Sequence, residues 1–519
     1  MATVVVITLA LVLALGSLAH GADVAELAAA ASTHGTVETA TALTGLSDKF
    51  LSVSFDVAEV AEVFFWNTTH TPIPYQSPRL VALAKALTPA TLRVGGTAAD
   101  WMWYDVDGTV RPAHGYKYTL NASQWDALNA FAHVVGFELV FGINAGPGPR
   151  AADGSWVPHN ARALMEYSAA RGYSVSGWEF ANEPNLFVVN DMGLVPPTRF
   201  AADMALFEPL VREVYPASKV IAPDVAYQLP IIGEAYPEFM RDFVRDTVLE
   251  YNVTLDVVTW HWYPLVSFRL PFPSKLDPWL ATVARIMAPH TLDAMDKHMT
   301  SVSSIIASYS PDAEMWLGET ASASYGGQPN VSNAFASGFW YLDELGQIAA
   351  AGGKRVVRQT LTGSDYGLLD WVTLAPRPDY WTALLFKRLV GDAVLSVQLT
   401  DGPRDASGDL LVRAYAYCGT ERDTVVVTAI NLQPATPLEL TLDFGATPAA
   451  RADYVLTAPG GDLGSTSMLL NGKLLELNQA GSLPDLPPLA AVATTPLSLP
   501  PASYGFFVVT IDVAACGTL

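Results

Sequence analysis

Two carboxylates have neighbours that suit chemistry. Glu183 lies in "WEFANEPN" (178–185) and Glu319 in "WLGET" (316–320). Each follows a short apolar run rich in aromatic residues, the composition of a buried strand, and each comes where that run stops. Asn182 as a helix cap and Pro184 in a turn would account for the tripeptide Asn-Glu-Pro by itself. A second glutamate at the same place in a later strand is harder to explain by packing. Hydrolysis of a glycosidic bond needs such a pair, one carboxyl acting as general acid and one ionised carboxylate attacking the anomeric carbon. A separation of about 5–5.5 Å gives retention and about 6.5–9.5 Å gives inversion; the sequence does not fix it.

The elements that must hold these residues follow a repeating unit of apolar strand, polar strand end and amphipathic helix. Strands are predicted over 51–57, 90–96, 138–144, 176–183, 220–224, 255–263, 314–320 and 355–361, with helices over 79–87, 160–172, 199–215 and 379–391 among them. Eight such strands predict an α/β fold, a (β/α)8 TIM barrel over 51–390, whose sites gather at the C-terminal strand ends. The polar residues at those ends are Asp56, Thr97, Asn144, Asn182 with Glu183, Asp224, His261 with Tyr263, Glu319 and Gln359. Asp224, after Pro223, also reads as a cap for the next helix. Trp262 reads equally as core filling. Beyond residue 390 helical periodicity stops and short β-rich runs separated by Pro/Gly turns begin, at 410–418, 423–432, 438–444 and 503–516. Residues 391–519 therefore predict a C-terminal antiparallel β-sandwich, to which the segment 22–50 is expected to add.

The bulk properties exclude several classes. Half of the 519 residues are hydrophobic, enough for large cores, and the formal net charge of −22 repels polyanions, so nucleic acid is not an expected partner. No dinucleotide-binding glycine motif, phosphate-binding loop or metal-spaced His/Cys cluster occurs, so no cofactor and no metal are expected. The apolar run at 1–21 reads as a secretory signal peptide, although no Lys or Arg precedes it. Membrane association is expected only if that segment stays uncleaved. Cys418 and Cys516, the two cysteines of the chain, suit one disulfide in an oxidising compartment. Sequons at Asn67, Asn121, Asn252 and Asn330 are glycosylation candidates. The expected location is extracellular, or lysosomal or vacuolar, with no obligate protein partner.

Several longer stretches resemble one family. They are "LTPATLRVGGTAADW" (87–101), "FGINA" (141–145), "WEFANEPN" (178–185), "APDV" (222–225), "VTWHWY" (258–263), "WLGETASASYGG" (316–327), "VVRQ" (356–359) and "RAYAYC" (413–418). The chain resembles heparanase and its relatives, the β-glucuronidase family of retaining glycoside hydrolases, from 49 to 516. The resemblance implies Glu183 as acid/base and Glu319 as nucleophile. It also implies Gly326, Gly327 and Tyr366 around the carboxylate of the sugar, with Asp56, Thr97, Asn182, His261, Tyr263 and Gln359 lining the same site. The expected substrate is a glucuronic-acid-containing polysaccharide or glycoconjugate. Two departures bear on it. Animal heparanase has a long segment, cut out in maturation, where this chain has only the stretch between "YDVDG" (104–108) and "SQWDALNAF" (123–131), so a single-chain enzyme is expected. Where basic clusters for sulfated chains would lie, this chain reads "GYKYTLNAS" (115–123) and "VAYQLPIIGEAY" (225–236), with Lys117 as the one cation. A glucuronidase of unspecified exo or endo action is the first reading. A heparan sulfate endo-β-glucuronidase and a non-catalytic glycan-binding protein on the same fold are the alternatives.

Overall fold

A computed structural model describes residues 29–64, 72–227, 236–270 and 273–517. The expected leader (1–21), the sequon at Asn67 and part of the 225–236 stretch lie outside the described residues. Among the described residues no helix is long and apolar enough to cross a membrane.

Strand β1 (Ala31–Val37) precedes eight parallel strands. These are β2 (Leu51–Asp56), β3 (Thr91–Gly95), β4 (Glu138–Ile143), β5 (Val175–Phe180), β6 (Lys219–Tyr227), β7 (Val257–Trp262), β8 (Glu314–Thr320) and β9 (Arg355–Arg358). They pair in sequence order, and β9 returns to β2 to close the barrel.

Three helices lie close to the strands that carry the site. Helix α1 (Ala122–Val135) opens with a capping box in which Asn121 accepts from the Gln124 N–H, and Gln124 accepts from the Asn121 N–H. Helix α2 (His159–Ala170) and helix α3 (Pro197–Val214) belong to the layer outside β4 and β5. The connection between the short strands Met102–Asp105 and Tyr118–Asn121 is the twelve residues 106–117. Alternation along β5 explains the aromatic run that leads to Glu183. Trp178 packs edge-on to Phe141 and Tyr215 outside the barrel, and Phe180 packs against Phe200 and Phe207 of α3. Glu179, between them, points the other way and meets Arg93 of β3.

After helix α4 (Ser337–Ala350) and helix α5 (Pro378–Leu389) the second domain takes over at β10 (Val390–Leu395). Its further strands include β11 (Val397–Leu399), β12 (Val412–Gly419), β13 (Thr424–Asn431), β14 (Leu438–Asp443), β15 (Ala450–Thr457), β16 (Leu497–Leu499) and β17 (Ser503–Thr510). One sheet runs β11-β1-β14-β16; the larger one contains β10-β12-β13-β17-β15. Their facing sides bury Val37, Val412, Val427, Leu440, Phe507 and Val509 in one core. Pairing is antiparallel except between β1 and β14, which run parallel, Ala31 opposite Leu438. The sandwich thus draws an inner strand from the chain before the barrel.

Cys418 on β12 and Cys516 are joined by a disulfide. Asn252 and Asn330 are exposed on turns, whereas Asn121 is half-buried and its side-chain oxygen is engaged in the cap of α1.

Candidate active site

The C-terminal ends of the strands deliver eight of the expected residues to one cleft. Asp56, Thr97, Glu183, Tyr263, Glu319, Gly326, Gln359 and Tyr366 line it together with Leu186, Val189, Asn190 and Tyr325. Asn182, His261 and Gly327 are not on its wall. Asn182 and His261 were expected to line the site and Gly327 to stand beside the carboxylate of the sugar; each is in contact with residues that do line it.

The turn after β5 is bonded at every step. Ala181 N–H donates to the Ile143 carbonyl at 3.1 Å, Asn182 N–H to Asp100 Oδ2 at 2.8 Å, and Glu183 N–H to the Asp224 carbonyl at 3.0 Å. Both Ala181 (φ 70°) and Glu183 (φ 52°) are left-handed, an uncommon state for residues with a Cβ. Pro184 opens a 3-10 turn, Pro184–Leu186, which its fixed φ suits. Glu183 is thereby lifted out of the strand direction and turned over the cleft.

Below the cleft lies Arg93, buried at 2 % exposure in the middle of β3. Its Nε donates to Glu179 Oε2 at 2.8 Å, Nη2 to Asp224 Oδ2 at 2.6 Å and Asn182 Oδ1 at 3.0 Å, and Nη1 to Glu319 Oε2 at 2.6 Å. One planar guanidinium therefore binds three carboxylates from three strands, which suits its rigid fork of donors. Asn182 Oδ1 also accepts from Gly96 N–H at 2.9 Å, while its Nδ2 is buried without a protein partner. Gly96 has φ +101°, and a Cβ there would lie 2.8 Å from Asp56 Oδ2, so the second glycine of "LRVGGT" is required on two counts.

His261, wholly buried, connects the two halves of the cluster. Its Nε2 is 2.6 Å from Asp224 Oδ1 and its Nδ1 is 3.1 Å from Glu183 Oε1. Burial opposes charge on this ring, but Asp224 and Glu319 outweigh it and raise its pKa to about 10, so both ring nitrogens carry protons and donate. Burial likewise opposes charge on Asp224, yet Arg93 and His261 hold its carboxyl below the usual range. Asp224 is thus an ionised counter-ion inside β6 and not the cap of a following helix, because its partners reach it from β3 and β7. Burial raises the pKa of Glu183, with Glu319 and Asp224 adding to the rise and His261 working against it. Burial also lifts Asp56 to about 7, although its Oδ1 accepts from Ala58 N–H at 2.9 Å.

Glu319 ends β8 with both oxygens in use. Oε2 accepts from Arg93 and Oε1 from the Tyr263 hydroxyl. One oxygen of Glu183, one of Glu319 and a ring nitrogen of His261 all lie within 4.8 Å of one another. Such a triangle could share a cation; here the positive charges of Arg93 and His261 already occupy that electrostatic role.

Gly326 (φ +79°) and Gly327 (φ +80°) form the rim after β8. A Cβ on Gly327 would lie 2.8 Å from Tyr366 N, so this glycine lets the loops after β8 and β9 touch backbone to backbone. Asp365 N–H donates to the Gly326 carbonyl at 2.8 Å. Burial, with Asp56 and Glu319 nearby, keeps the Tyr366 phenol protonated far above its ordinary range. Trp262 is core: it packs on His298 with ring centroids 4.4 Å apart and is 7 % exposed. Lys117, the one cation of the 115–123 stretch, sits 3.4 Å from the centroid of the Trp101 ring.

Arg93, Glu179 and Asp100 were not among the expected site residues. A signal existed: "TLRVGG" and "GWEF" each place a charge inside a strand that, in a parallel barrel, should be continuously apolar.

A closed parallel barrel with two facing glutamates above an ion-paired floor defines the chain as a glycoside hydrolase. The chain belongs to glycosyl hydrolase family 79, whose N-terminal domain matches residues 64–346. It is 31% identical over 487 residues to heparanase-like protein 1 of Arabidopsis thaliana, covering 85% of each chain. It is 30% identical over 563 residues to heparanase of Mus musculus, covering 97% of this chain and 98% of that one. It is 30% identical over 460 residues to baicalin-beta-D-glucuronidase of Scutellaria baicalensis, covering 81% of each. Among solved structures, the GH51 arabinofuranosidase of Xanthomonas axonopodis pv. citri superposes with a TM-score of 0.66 at 17% identity, covering 92% of this chain and 100% of that one; this likeness concerns the fold alone.

Proposed function

We propose that the chain is a retaining β-glucuronidase working by double displacement, with Glu319 as nucleophile and Glu183 as acid/base. The observation that carries this reading is the approach of the two carboxylates, one oxygen of each within 4.8 Å. That closeness favours the retaining spacing of about 5–5.5 Å between carboxyls over the about 6.5–9.5 Å with which inversion seats a water between them. In the first step Glu319 attacks C1 while Glu183 gives its proton to the leaving oxygen. Burial, by raising the Glu183 pKa, keeps that proton available. The protonated His261 at 3.1 Å then stabilises the carboxylate left behind. In the second step the Glu183 carboxylate takes a proton from water, which attacks C1 and releases Glu319.

The preference for a uronic acid rests on Gly326, Gly327 and Tyr366. Gly326 and Tyr366 line the cleft, and Gly327 seats Tyr366 by backbone contact. A phenol that stays protonated and backbone N–H groups can bind an anion without a full countercharge. Family relatives with heparanase and β-glucuronidase names support the sugar class. We expect no excision, and the apolar run at 1–21, read as a signal peptide, favours secretion, which a fusion of that run to a reporter would test.

The test is a comparison of 4-nitrophenyl β-D-glucuronide with the β-D-glucoside, with the anomer of the first product read by NMR. We expect retention and a preference of about 10²–10⁴ in kcat/KM, from two or three charge-assisted hydrogen bonds. Tyr366→Phe should lower the glucuronide rate about tenfold or more. Inverted product would overturn the double displacement, and equal rates on the two sugars would overturn the carboxylate site. A second reading, endo cleavage of heparan sulfate, is favoured by the match to mouse heparanase over nearly the whole chain. Shortening of sulfated heparan chains by the enzyme would establish it.

A further inference from the structure

We propose that Glu344 of α4 is a positioning residue for the nucleophile: as a neutral acid it donates from Oε2 to the Thr320 hydroxyl and so fixes the end of β8 that carries Glu319. The proposal deepens the double-displacement reading and rests on Glu319 as the nucleophile. Glu344 is 1 % exposed, lies outside the barrel wall and is not among the residues that line the cleft.

The end of β8 needs such a fastening. Its ladder with β7 slips between Leu317 and Glu319, opposite Trp260 and His261, and its ladder with β9 slips between Leu317 and Thr320. Gly318 falls in both gaps, and a Cβ there would lie 2.1 Å from Thr259 Oγ1. Regular pairing is therefore interrupted immediately before Glu319. Thr320 is where both ladders are in register again, opposite Trp262 and Arg358. Its hydroxyl lies 2.9 Å from the Trp262 carbonyl and 3.0 Å from Glu344 Oε2. Trp262 is followed by Tyr263, whose hydroxyl donates to Glu319 Oε1. One hydroxyl thus joins the strand end that bears the nucleophile to the strand end that bears its hydrogen-bond donor.

The direction of the proton follows from counting donors. A hydroxyl has one hydrogen, and the Trp262 carbonyl can only accept it. Once Thr320 donates there, its lone pairs face Glu344, and the 3.0 Å contact requires the carboxyl to bring the hydrogen. The surroundings favour that form. Arg358 of β9 gives its Nη2 to Asp379 of α5 at 2.8 Å and its Nη1 to the Gln359 carbonyl. Asp343, next to Glu344 on α4, accepts from Tyr415 and Gln347. Glu344 Oε1 is buried without a hydrogen-bond partner, and the Trp340 indole N–H near it is likewise unpaired. An ionised carboxylate with one oxygen bare is far costlier to bury than a neutral acid. Burial accordingly raises the Glu344 pKa well above its ordinary range; Thr320, Arg358 and the Trp340 indole oppose the rise, and Asp343 adds to it.

The experiment uses the full chain, with steady-state rates on 4-nitrophenyl β-D-glucuronide and the rate at which 2-deoxy-2-fluoro-β-D-glucuronyl fluoride labels Glu319, read by mass spectrometry. Glu344→Leu keeps the bulk and removes the donor. We expect it to lower kcat and the labelling rate about tenfold, with KM within about twofold, because a loosely held nucleophile loses attack geometry more than binding. Thr320→Val, which alters no charge and little volume, guards against a folding defect; it should have the same effect, and the double variant should fall no further. Glu344→Gln, whose amide donates where the acid did, should rescue both rates to within about twofold of the wild type. In urea titrations it should also gain on the wild type as pH rises above 4.5, the ordinary value of a glutamate, because the wild type alone must hold a proton there. Labelling of Glu344→Leu and Thr320→Val at the wild-type rate, a Glu344→Gln variant as slow as Glu344→Leu, or one less stable than the wild type at about pH 7 would overturn the proposal. Inverted product would instead sink the double-displacement reading. Inert glucuronides beside an active β-glycoside of another sugar would sink the sugar reading alone, and the 2-fluoro fluoride of that sugar would then decide this proposal by the same ratios.

Discussion

At the scale of single residues the site is an arrangement of compensated charges. Removing one member of a buried ion cluster costs more than the pair contributed, because the partner left behind is desolvated and alone. Arg93 cannot be spared for this reason, as Glu179, Asp224 and Glu319 all depend on it. His261 is the residue whose replacement can be read most cleanly. Its pKa is raised to about 10 from an ordinary 6.5. A group with a raised folded pKa contributes stability that is complete below its unfolded value and is lost as pH rises through its folded value. The wild type should therefore lose stability between about pH 6.5 and 10, and His261→Gln should lose less over that window in urea titrations at fixed pH steps. The same substitution removes the cation that works against the raised pKa of Glu183. The alkaline limb of kcat/KM should then move to higher pH in His261→Gln, while the maximal rate falls. An alkaline limb that stayed in place would show that Glu183 and His261 do not share the coupling their 3.1 Å contact implies.

At the scale of elements, the rim is assembled from loops that follow three different strands. Arg269, after β7, donates from Nη1 to the Gly327 carbonyl at 3.2 Å and pairs with Asp365, next to Tyr366. One side chain thus fastens the loops that carry Gly326, Gly327 and Tyr366. If it acts as a fastener, Arg269→Met, Asp365→Asn and the double variant should each raise KM for a glucuronide by a similar factor, about five, because the second change finds the link already broken. If Arg269 instead contacted the substrate anion directly, Asp365→Asn would free it and lower KM. How much of this was legible in the sequence depends on where each signal resides. Strand ends and helices are local, and "WEFANEP" and "WLGET" located Glu183 and Glu319 without knowledge of any partner. The partners of Arg93 come from β5, β6 and β8, up to 226 residues away, so only its misfit in an apolar strand was readable. The same limit hid the role of His261, which looks like a lining residue until its two bonds to Asp224 and Glu183 are seen. The parallel pairing of β1 with β14 was illegible too, since no local pattern specifies a strand partner some 400 residues on.

At the scale of the whole molecule, the barrel and sandwich share an element. Helix α4 is buried nearly all round, as a helix between two layers must be. Tyr415 of β12 donates to Asp343 Oδ1 of α4 at 2.7 Å, and Arg413 pairs with Asp293 at 2.7 Å. A Cβ on Gly346 would lie 2.2 Å from the Tyr415 ring, and one on Gly338 would lie 1.9 Å from the Tyr504 hydroxyl, so sandwich side chains sit directly on the helix backbone. Because α4 also packs inward against the barrel, neither domain can unfold without exposing the other's contact. The disulfide acts within this coupled unit. Cys418 and Cys516 are 98 residues apart in sequence, and closing a loop of that length removes unfolded-state entropy worth roughly 3–5 kcal/mol. For a chain of this size that corresponds to a melting temperature only about 3–5 °C higher, because the unfolding entropy grows with length. We therefore expect Cys418→Ser/Cys516→Ser to lower one shared calorimetric transition by about that amount, with its width nearly unchanged. Two separated transitions, only one of them displaced by loss of the bridge, would mean that α4 does not couple the domains. Replacing Gly346 by leucine should have the opposite signature: by driving a side chain into Tyr415 it should split the transition in two while leaving the disulfide intact.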